Sequence, residues 1–166
     1  MTPDEIARLV EAAGESLATE MRAAGEELSS WHPAEQQWCA KEVLGHLFES
    51  ERSGFAGRIA EIIAARPGIE PLLKASGPLS RTYCTVALDE LLNQFLVQRR
   101  RNVDFVRDLR REDLQRAGIH ERVGRVTVND LLHEWVHHDR AHVMQILTIV
   151  QTKVWPQMGN AQKFSG

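Results

Sequence analysis

The sequence is short of the features that mark secreted and membrane-spanning proteins. Only two cysteines occur, Cys39 and Cys84, and neither belongs to a Cys-x-x-Cys motif, which argues against a disulfide scaffold or a cysteine-based zinc site. No apolar run approaches the roughly 20 residues needed to span a bilayer. The N-terminus, MTPDEIARL, has no signal-peptide core. We therefore expect a reduced, cytoplasmic protein that is not bound to a membrane.

The charge balance gives no sign of a nucleic-acid partner. The formal net charge is −3, so no overall positive potential attracts a polyanion. One local basic run, Arg99-Arg100-Arg101, lies in a helical pattern without interleaved aromatic residues. We interpret this run as solvated helix surface rather than as a phosphate-binding patch.

What the sequence does contain is the composition of an ordinary globular domain. It has 166 residues, of which 43% are hydrophobic and 26% are charged, and a chain of this length buries a sizeable core. No internal repeat, low-complexity tract or linker divides it. We therefore predict a single domain over residues 1–166.

Four long amphipathic segments follow one another along the chain, with apolar residues at spacings of three and four. They predict helices over about residues 2–29, 40–65, 86–109 and 128–153. Residues 68–85 contain several prolines and glycines and predict a long crossover loop. No convincing strand alternation occurs, and residues 110–125 are interpreted as a polar connection that ends in a turn. The predicted fold class is all-α, a four-helix bundle with a long crossover between helices 2 and 3.

The last predicted helix holds four of the seven histidines, within ten residues. They form two pairs at a spacing of four, His133 with His137 and His138 with His142. Residues at that spacing share one face of a helix. On a helical wheel of about 100° per residue, the second pair lies toward the apolar face and the first pair toward solvent. Asp139 also points inward.

An inward pair of histidines beside an inward aspartate needs an explanation, because burying a carboxylate without a partner is costly. Two interpretations remain open: core histidines satisfied by neighbouring hydrogen bonds, and two ligands of a metal site. The paired spacing favours the metal site. Two histidines seldom hold a metal by themselves, so a third ligand has to come from elsewhere. The outward pair His133 and His137 has no functional interpretation.

A further histidine, His46, lies on the second predicted helix, outside its apolar stripe. Its neighbours on the wheel are small residues, Ser50, Ser53, Gly54 and Gly57. They leave room for another helix or for a ligand. From this helix alone, a partly exposed surface histidine and a ligand-binding histidine are equally open interpretations.

Two motifs resemble those of the DinB/YfiT-like superfamily. WCAKEVLGHL, residues 38–47, is similar to the helix-two motif of that family. HDRAHVMQI, residues 138–146, is similar to its helix-four motif, His-x-x-x-His followed by Gln-Ile. The order of the predicted elements resembles the family over nearly the whole chain. One departure is Cys39, where the motif more often has Ser or Thr, and this departure weakens a helix cap.

The resemblance implies an up-down-down-up bundle with a divalent metal, zinc or nickel, held by His46, His138 and His142. It also implies a homodimer and a small-molecule substrate. Relatives in the family include transferases that use low-molecular-weight thiols, so a thiol is an expected co-substrate. We further predict that the Asp139 carboxylate orients one of the ligand imidazoles, such as that of His46.

Three functional hypotheses are compatible with such a site, and the substrate stays open in each. The first is a metal-dependent enzyme, either a thiol-dependent S-transferase or a hydrolase, because three neutral imidazoles leave coordination positions open. The second is a non-catalytic metal-binding or stress-response protein, which a fourth protein ligand would favour. The third is a metal-free helical interaction module. No protein nucleophile is evident, because neither cysteine is predicted on the histidine face.

Overall fold

The computed structural model describes residues 1–75, 77 and 81–165. Its α-helices are α1 (Pro3–Ser29), α2 (Ala40–Glu49), α3 (Ala56–Ala64), α4 (Leu88–Arg107) and α5 (Val128–Val154). A π-helical segment, Ser50–Phe55, joins α2 directly to α3, so these two helices correspond to the second predicted helix. The four predicted long helices are therefore confirmed. In the described ranges, none of them combines the length and apolarity of a membrane-spanning helix.

The core consists of two apolar clusters, one toward each end of the bundle. The lower cluster includes Ile6, Ile59, Val103 and Leu131. The upper cluster includes Met21, Leu44, Leu91 and Ile146. Because α1 and α5 run from the lower to the upper cluster, while α2–α3 and α4 run the opposite way, the topology is up-down-down-up. The two helices that run downward follow each other in the chain, which explains why a long crossover must join them.

Helices α1 and α5 both begin with a capping box. Thr2 Oγ1 accepts from the Glu5 amide at 3.2 Å, and the Glu5 carboxylate accepts from the Thr2 amide at 2.8 Å. Thr127 and Asp130 repeat this arrangement at 3.0 and 2.9 Å. Such contacts satisfy amides of the first turn that have no partner within the helix. The cap at Thr127 thus defines where the histidine-rich helix starts.

A small three-stranded sheet packs at the lower end of the bundle. β1 (Leu72–Leu73) pairs in parallel with β2 (Ala117–His120), and β2 pairs antiparallel with β3 (Gly124–Thr127). Leu73 of β1 belongs to the lower cluster. The polar connection predicted over residues 110–125 does contain a turn, at residues 121–123, but it also contains the strand β2, which the prediction missed. Strands this short show too little alternation to be recognised in a sequence.

The predicted crossover between α3 and α4 is confirmed and has structure of its own. It contains β1 and a 3₁₀ helix, Arg81–Thr85, whereas residue 76 and residues 78–80 lie outside the described part of the chain. The ring of Tyr83 packs so closely on α2 that a Cβ added to Gly45 would lie 2.2 Å from it. The crossover thus covers α2 beside His46.

Candidate metal centre

Three histidines from two helices meet between the upper and lower clusters. His46 lies on α2, and His138 and His142 lie one turn apart on α5. Each offers a ring nitrogen within 4.8 Å of the other two. The Nε2 atoms of His46 and His138 are 3.0 Å apart, within the range of about 2.9–3.4 Å expected of two nitrogens that are each about 2.0–2.1 Å from one ion. The structure therefore brings the three predicted ligands together.

The histidines of α5 differ in their surroundings. His138 and His142 are half-buried, with ring centroids 4.5 Å apart, and the Phe55 ring of the lower cluster packs edge-on against His138 at 5.2 Å. His137 is exposed, as predicted. His133, by contrast, is half-buried, and its Nδ1 lies 2.7 Å from the backbone oxygen of Asn129. The outward pair is thus not brought to the three-histidine group.

The environment keeps two of the three imidazoles neutral. Burial, together with the neighbouring His142, lowers the pKa of His46 to about 4. Burial also lowers the pKa of His138 to about 3, with contributions from His142 and His46. At neutral pH both rings therefore keep a free lone pair, which is the protonation state that a metal ligand requires.

Neighbouring side chains orient two of the rings. His142 Nδ1 lies 2.7 Å from Gln145 Oε1, so the proton on Nδ1 is donated to this carbonyl and Nε2 carries the lone pair. His46 Nδ1 makes a longer contact of 3.4 Å with Ser50 Oγ. His138 Nδ1 is buried without a hydrogen-bond partner among the described residues. Three imidazole nitrogens placed this close together form a set of ligands that suits a divalent ion such as zinc or nickel.

Asp139 is buried beside the site but contacts a different partner from the one predicted. Its two carboxylate oxygens accept from Arg99, Oδ2 from Nη1 at 2.5 Å and Oδ1 from Nη2 at 3.2 Å. A hydrogen bond between Asp139 and a ligand imidazole is not found in the described residues. Asp139 directly follows His138 on α5, but its carboxylate is engaged by Arg99 and not by a ligand imidazole.

The interpretation of Arg99 as solvated surface is wrong, although it holds for its exposed neighbours Arg100 and Arg101. Arg99 is only 3% exposed, and besides Asp139 it donates to Glu51 Oε1 at 2.6 Å. The resulting network of Glu51, Arg99 and Asp139 joins the π-helical segment to α4 and α5. Burial raises the pKa of Asp139 and raises that of Glu51 to about 7, because one guanidinium cannot compensate two buried carboxylates fully.

A signal for Arg99 does exist in the sequence. It lies four residues after Phe95 and four before Val103, and both of these are buried on α4. Glu51 gives the same signal, because it lies four residues after Leu47 and four before Phe55, and both of these are buried.

Two clefts give access to the three histidines. The larger, of about 590 Å³, borders His46 and His138. Its wall combines apolar side chains with four ionisable ones, Arg58, His120, Asp130 and Glu134. The smaller, of about 410 Å³, borders His142. Within the described ranges, no fourth His, Cys, Asp or Glu joins the three-histidine group, so an ion held there would keep open positions.

Comparisons with known proteins agree with this architecture. The sequence profile of the DinB superfamily matches residues 8–146, whereas no functionally curated protein matches the chain. Among solved structures, the chain is similar to YfiT from Bacillus subtilis, with a TM-score of 0.73 and 15% identity over 90% of this chain and 86% of that chain. YfiT is described as a probable metal-dependent hydrolase with an unusual four-helix bundle topology. At this identity the likeness shows the fold alone. The profile match covers most of the sequence and confirms the resemblance carried by the two histidine motifs: the chain belongs to the DinB superfamily.

Proposed function

We propose that this protein is a divalent-metal-dependent enzyme whose metal is held by His46, His138 and His142. The observation that carries the proposal is the convergence of three imidazoles beside a cleft of about 590 Å³, without a fourth side-chain ligand in the described residues. A metal bound there would act as a Lewis acid that lowers the pKa of a water or thiol ligand. The all-nitrogen donor set supports zinc or nickel as this metal.

The finer proposal is a thiol-dependent S-transferase that uses a low-molecular-weight thiol. No cysteine lines either cleft in the part of the chain that the structure describes. A sulfur nucleophile would therefore have to enter as a small molecule. Phe55 and Val126 supply apolar wall to the larger cleft, which suits an electrophile with an apolar body.

Hydrolysis is the second candidate reaction, and one side chain favours it. Glu134 precedes His138 by one helical turn, so it stands on the same side of α5, and it lines the larger cleft. A carboxylate in this position is a candidate general base for an attacking water. The hydrolase description of YfiT supports the same proposal by analogy only.

Metal analysis and turnover assays test these proposals. The untagged protein is first analysed for bound zinc and nickel, and the metal-loaded form is then assayed with a panel of thiols plus a chromogenic electrophile, and separately with ester and amide substrates without thiol. We expect metal-dependent turnover that His46→Ala abolishes and that His137→Ala, on the exposed side of α5, leaves unchanged.

The Glu134→Gln variant separates the two reactions. Loss of ester or amide hydrolysis in this variant would support the hydrolase. Thiol conjugation that persists in the same variant would support the transferase. Stoichiometric metal without turnover on any substrate would favour a non-catalytic metal-binding protein, and full metal stoichiometry in His46→Ala would contradict the three-histidine assignment.

A further inference from the structure

A second group of possible metal ligands lies near the upper cluster, about 10 Å before His46 along α2 at 1.5 Å per residue. His32, Cys39 and Cys84 each offer one ligand atom, and these atoms all lie within 4.8 Å of one another. The Sγ atoms of the two cysteines are 3.1 Å apart, although 45 residues separate them in the sequence. The crossover brings the two cysteines together, because its 3₁₀ helix, which carries Cys84, packs against the start of α2.

We propose that His32, Cys39 and Cys84 form a second metal site, selective for a soft divalent ion such as zinc. A pair of thiolates with an imidazole favours zinc over magnesium or calcium, which prefer oxygen ligands. Three protein ligands of this kind leave the fourth tetrahedral position to water. On binding, each thiol releases one proton to solvent, and no oxidation state changes.

A buried carboxylate contacts the imidazole of His32. His32 Nε2 lies 3.1 Å from Glu42 Oε2, and Glu42 is 1% exposed. Glu42 also accepts from Arg81 and from the Cys39 amide, and its carboxylate is an acceptor for the Nε2 proton of a neutral His32. Nδ1 then carries the lone pair. Metal-binding histidines commonly donate their second nitrogen to a carboxylate in this way.

Glu42 also connects the three segments that supply the ligands. It accepts from the Cys39 amide at 2.9 Å and from Arg81 Nε at 3.0 Å, and Arg81 begins the 3₁₀ helix of Cys84. His32 belongs to the connection between α1 and α2. A metal at this place would therefore clamp that connection, the first turn of α2 and the crossover to one another.

A disulfide between Cys39 and Cys84 is the alternative that the same contact allows. A disulfide alone would leave the contact between His32 and Glu42 beside the two cysteines unexplained.

Cobalt titration of the reduced, untagged, full-length chain tests the second site. Cobalt bound by thiolates gives an ultraviolet charge-transfer band that cobalt bound by imidazoles alone does not give. We expect this band to saturate by two equivalents per wild-type chain, because the three-histidine site also takes cobalt, and by one equivalent in His46→Ala. We also expect it to be displaced by zinc. It should persist in His46→Ala, which removes only the three-histidine site, and in the control His137→Gln. It should be lost in Cys84→Ser and weakened in His32→Gln.

Three results would overturn the proposal: no such band in the reduced wild-type chain, an unchanged band in Cys84→Ser, or a freshly isolated chain lighter by two hydrogen atoms, which shows the disulfide. Alkylation of the wild-type cysteines supplies a readout that does not depend on a variant's folding. Zinc should slow the alkylation of both cysteines, and equal rates with and without zinc would contradict the site.

Discussion

At the scale of single residues, Arg99 is the side chain on which the middle of the bundle depends. It lies between the two apolar clusters, and its guanidinium is the partner of both Glu51 and Asp139. Removing one member of a buried ionic network destabilises a protein more than replacing the whole network by apolar side chains, because the remaining charges stay buried without compensation. Among the described residues, the neighbouring Arg100 and Arg101 make no comparable ion pairs.

We predict that Arg99→Met lowers the free energy of unfolding by about 3–5 kcal/mol, since it leaves two buried carboxylates without a counter-charge. The matched control is Arg100→Met, on the exposed side of the same helix, which should change it by no more than about 0.5 kcal/mol. Urea denaturation of both variants measures the difference. Equal stability losses would show that the network does not carry this energy.

The lowered pKa values of His46 and His138 predict sensitivity to acid. A histidine in an unfolded chain titrates near about 6.5, but in the folded protein these two titrate at about 4 and about 3. As the pH falls below about 6.5, the unfolded state takes up protons that the folded state refuses, so stability present above that pH is progressively lost.

Thermal unfolding of the metal-free protein at a series of pH values checks this prediction. The midpoint of the wild type, taken relative to that of His138→Asn, should fall between about pH 6.5 and about pH 3. The difference is used because the raised pKa values of Glu51 and Asp139 contribute in the opposite direction to both proteins. His138→Asn should weaken the dependence, whereas His137→Asn, at an exposed position, should leave it as in the wild type. A difference between wild type and His138→Asn that stays constant over this window would contradict the lowered pKa of His138.

At the scale of elements, α2, the π-helical segment Ser50–Phe55 and α3 form one continuous helical rod, the second rod. The π-helical segment affects which side chains of this rod face inward. A π-helical turn contains more residues than an α-helical turn, and such segments occur frequently at functional sites. His46 precedes the segment and faces α5, while Glu51 within it faces Arg99.

The close contact of the Tyr83 ring with Gly45 predicts that the crossover packs on α2 only when position 45 is a glycine. Gly45→Ala would place a Cβ 2.2 Å from the Tyr83 ring, so the ring and its hydrogen bond to Glu49 must shift. We expect a stability loss of about 1–3 kcal/mol, measured by chemical denaturation. Gly54→Ala is the matched control on the same rod, because its nearest neighbour would lie 3.8 Å away. A comparable loss in both variants would argue against the packing explanation.

At the scale of the whole molecule, polar side chains form a layer between two apolar clusters. The layer contains the buried ionic network and the three-histidine group, and both connect the second rod to α5. A metal bound by the histidines would therefore link α2 to α5, which are far apart in the sequence. Because the ligands are assembled only in the folded state, metal binding stabilises that state.

We predict that zinc raises the midpoint of thermal unfolding through the three-histidine site. At a free metal concentration about 100 times Kd, the gain is about 2.7 kcal/mol, and each kcal/mol raises the midpoint by about 2–4 °C in a domain of this size. The measurement uses the Cys84→Ser background, so that the proposed second site does not contribute. The shift should disappear when His46→Ala is added and persist when His137→Ala is added instead; no shift in the parent background would contradict metal binding at the histidines.

The sequence by itself determined the four helices and the inward direction of His138 and His142. Capping and amphipathic spacing are local properties, and α5 is regular enough for a wheel to describe it. The third ligand, His46, was predictable only through the resemblance, because its own helix left two interpretations open.

Only the tertiary structure decided which residues distant in the sequence meet. The contact of Cys39 with Cys84 depends on the path of the crossover, and the contact of Glu51 with Arg99 depends on how the second rod packs against α4. The short strands likewise form by pairing with remote segments and not by their own periodicity. No local pattern encodes such contacts, because each is created when separate elements pack together.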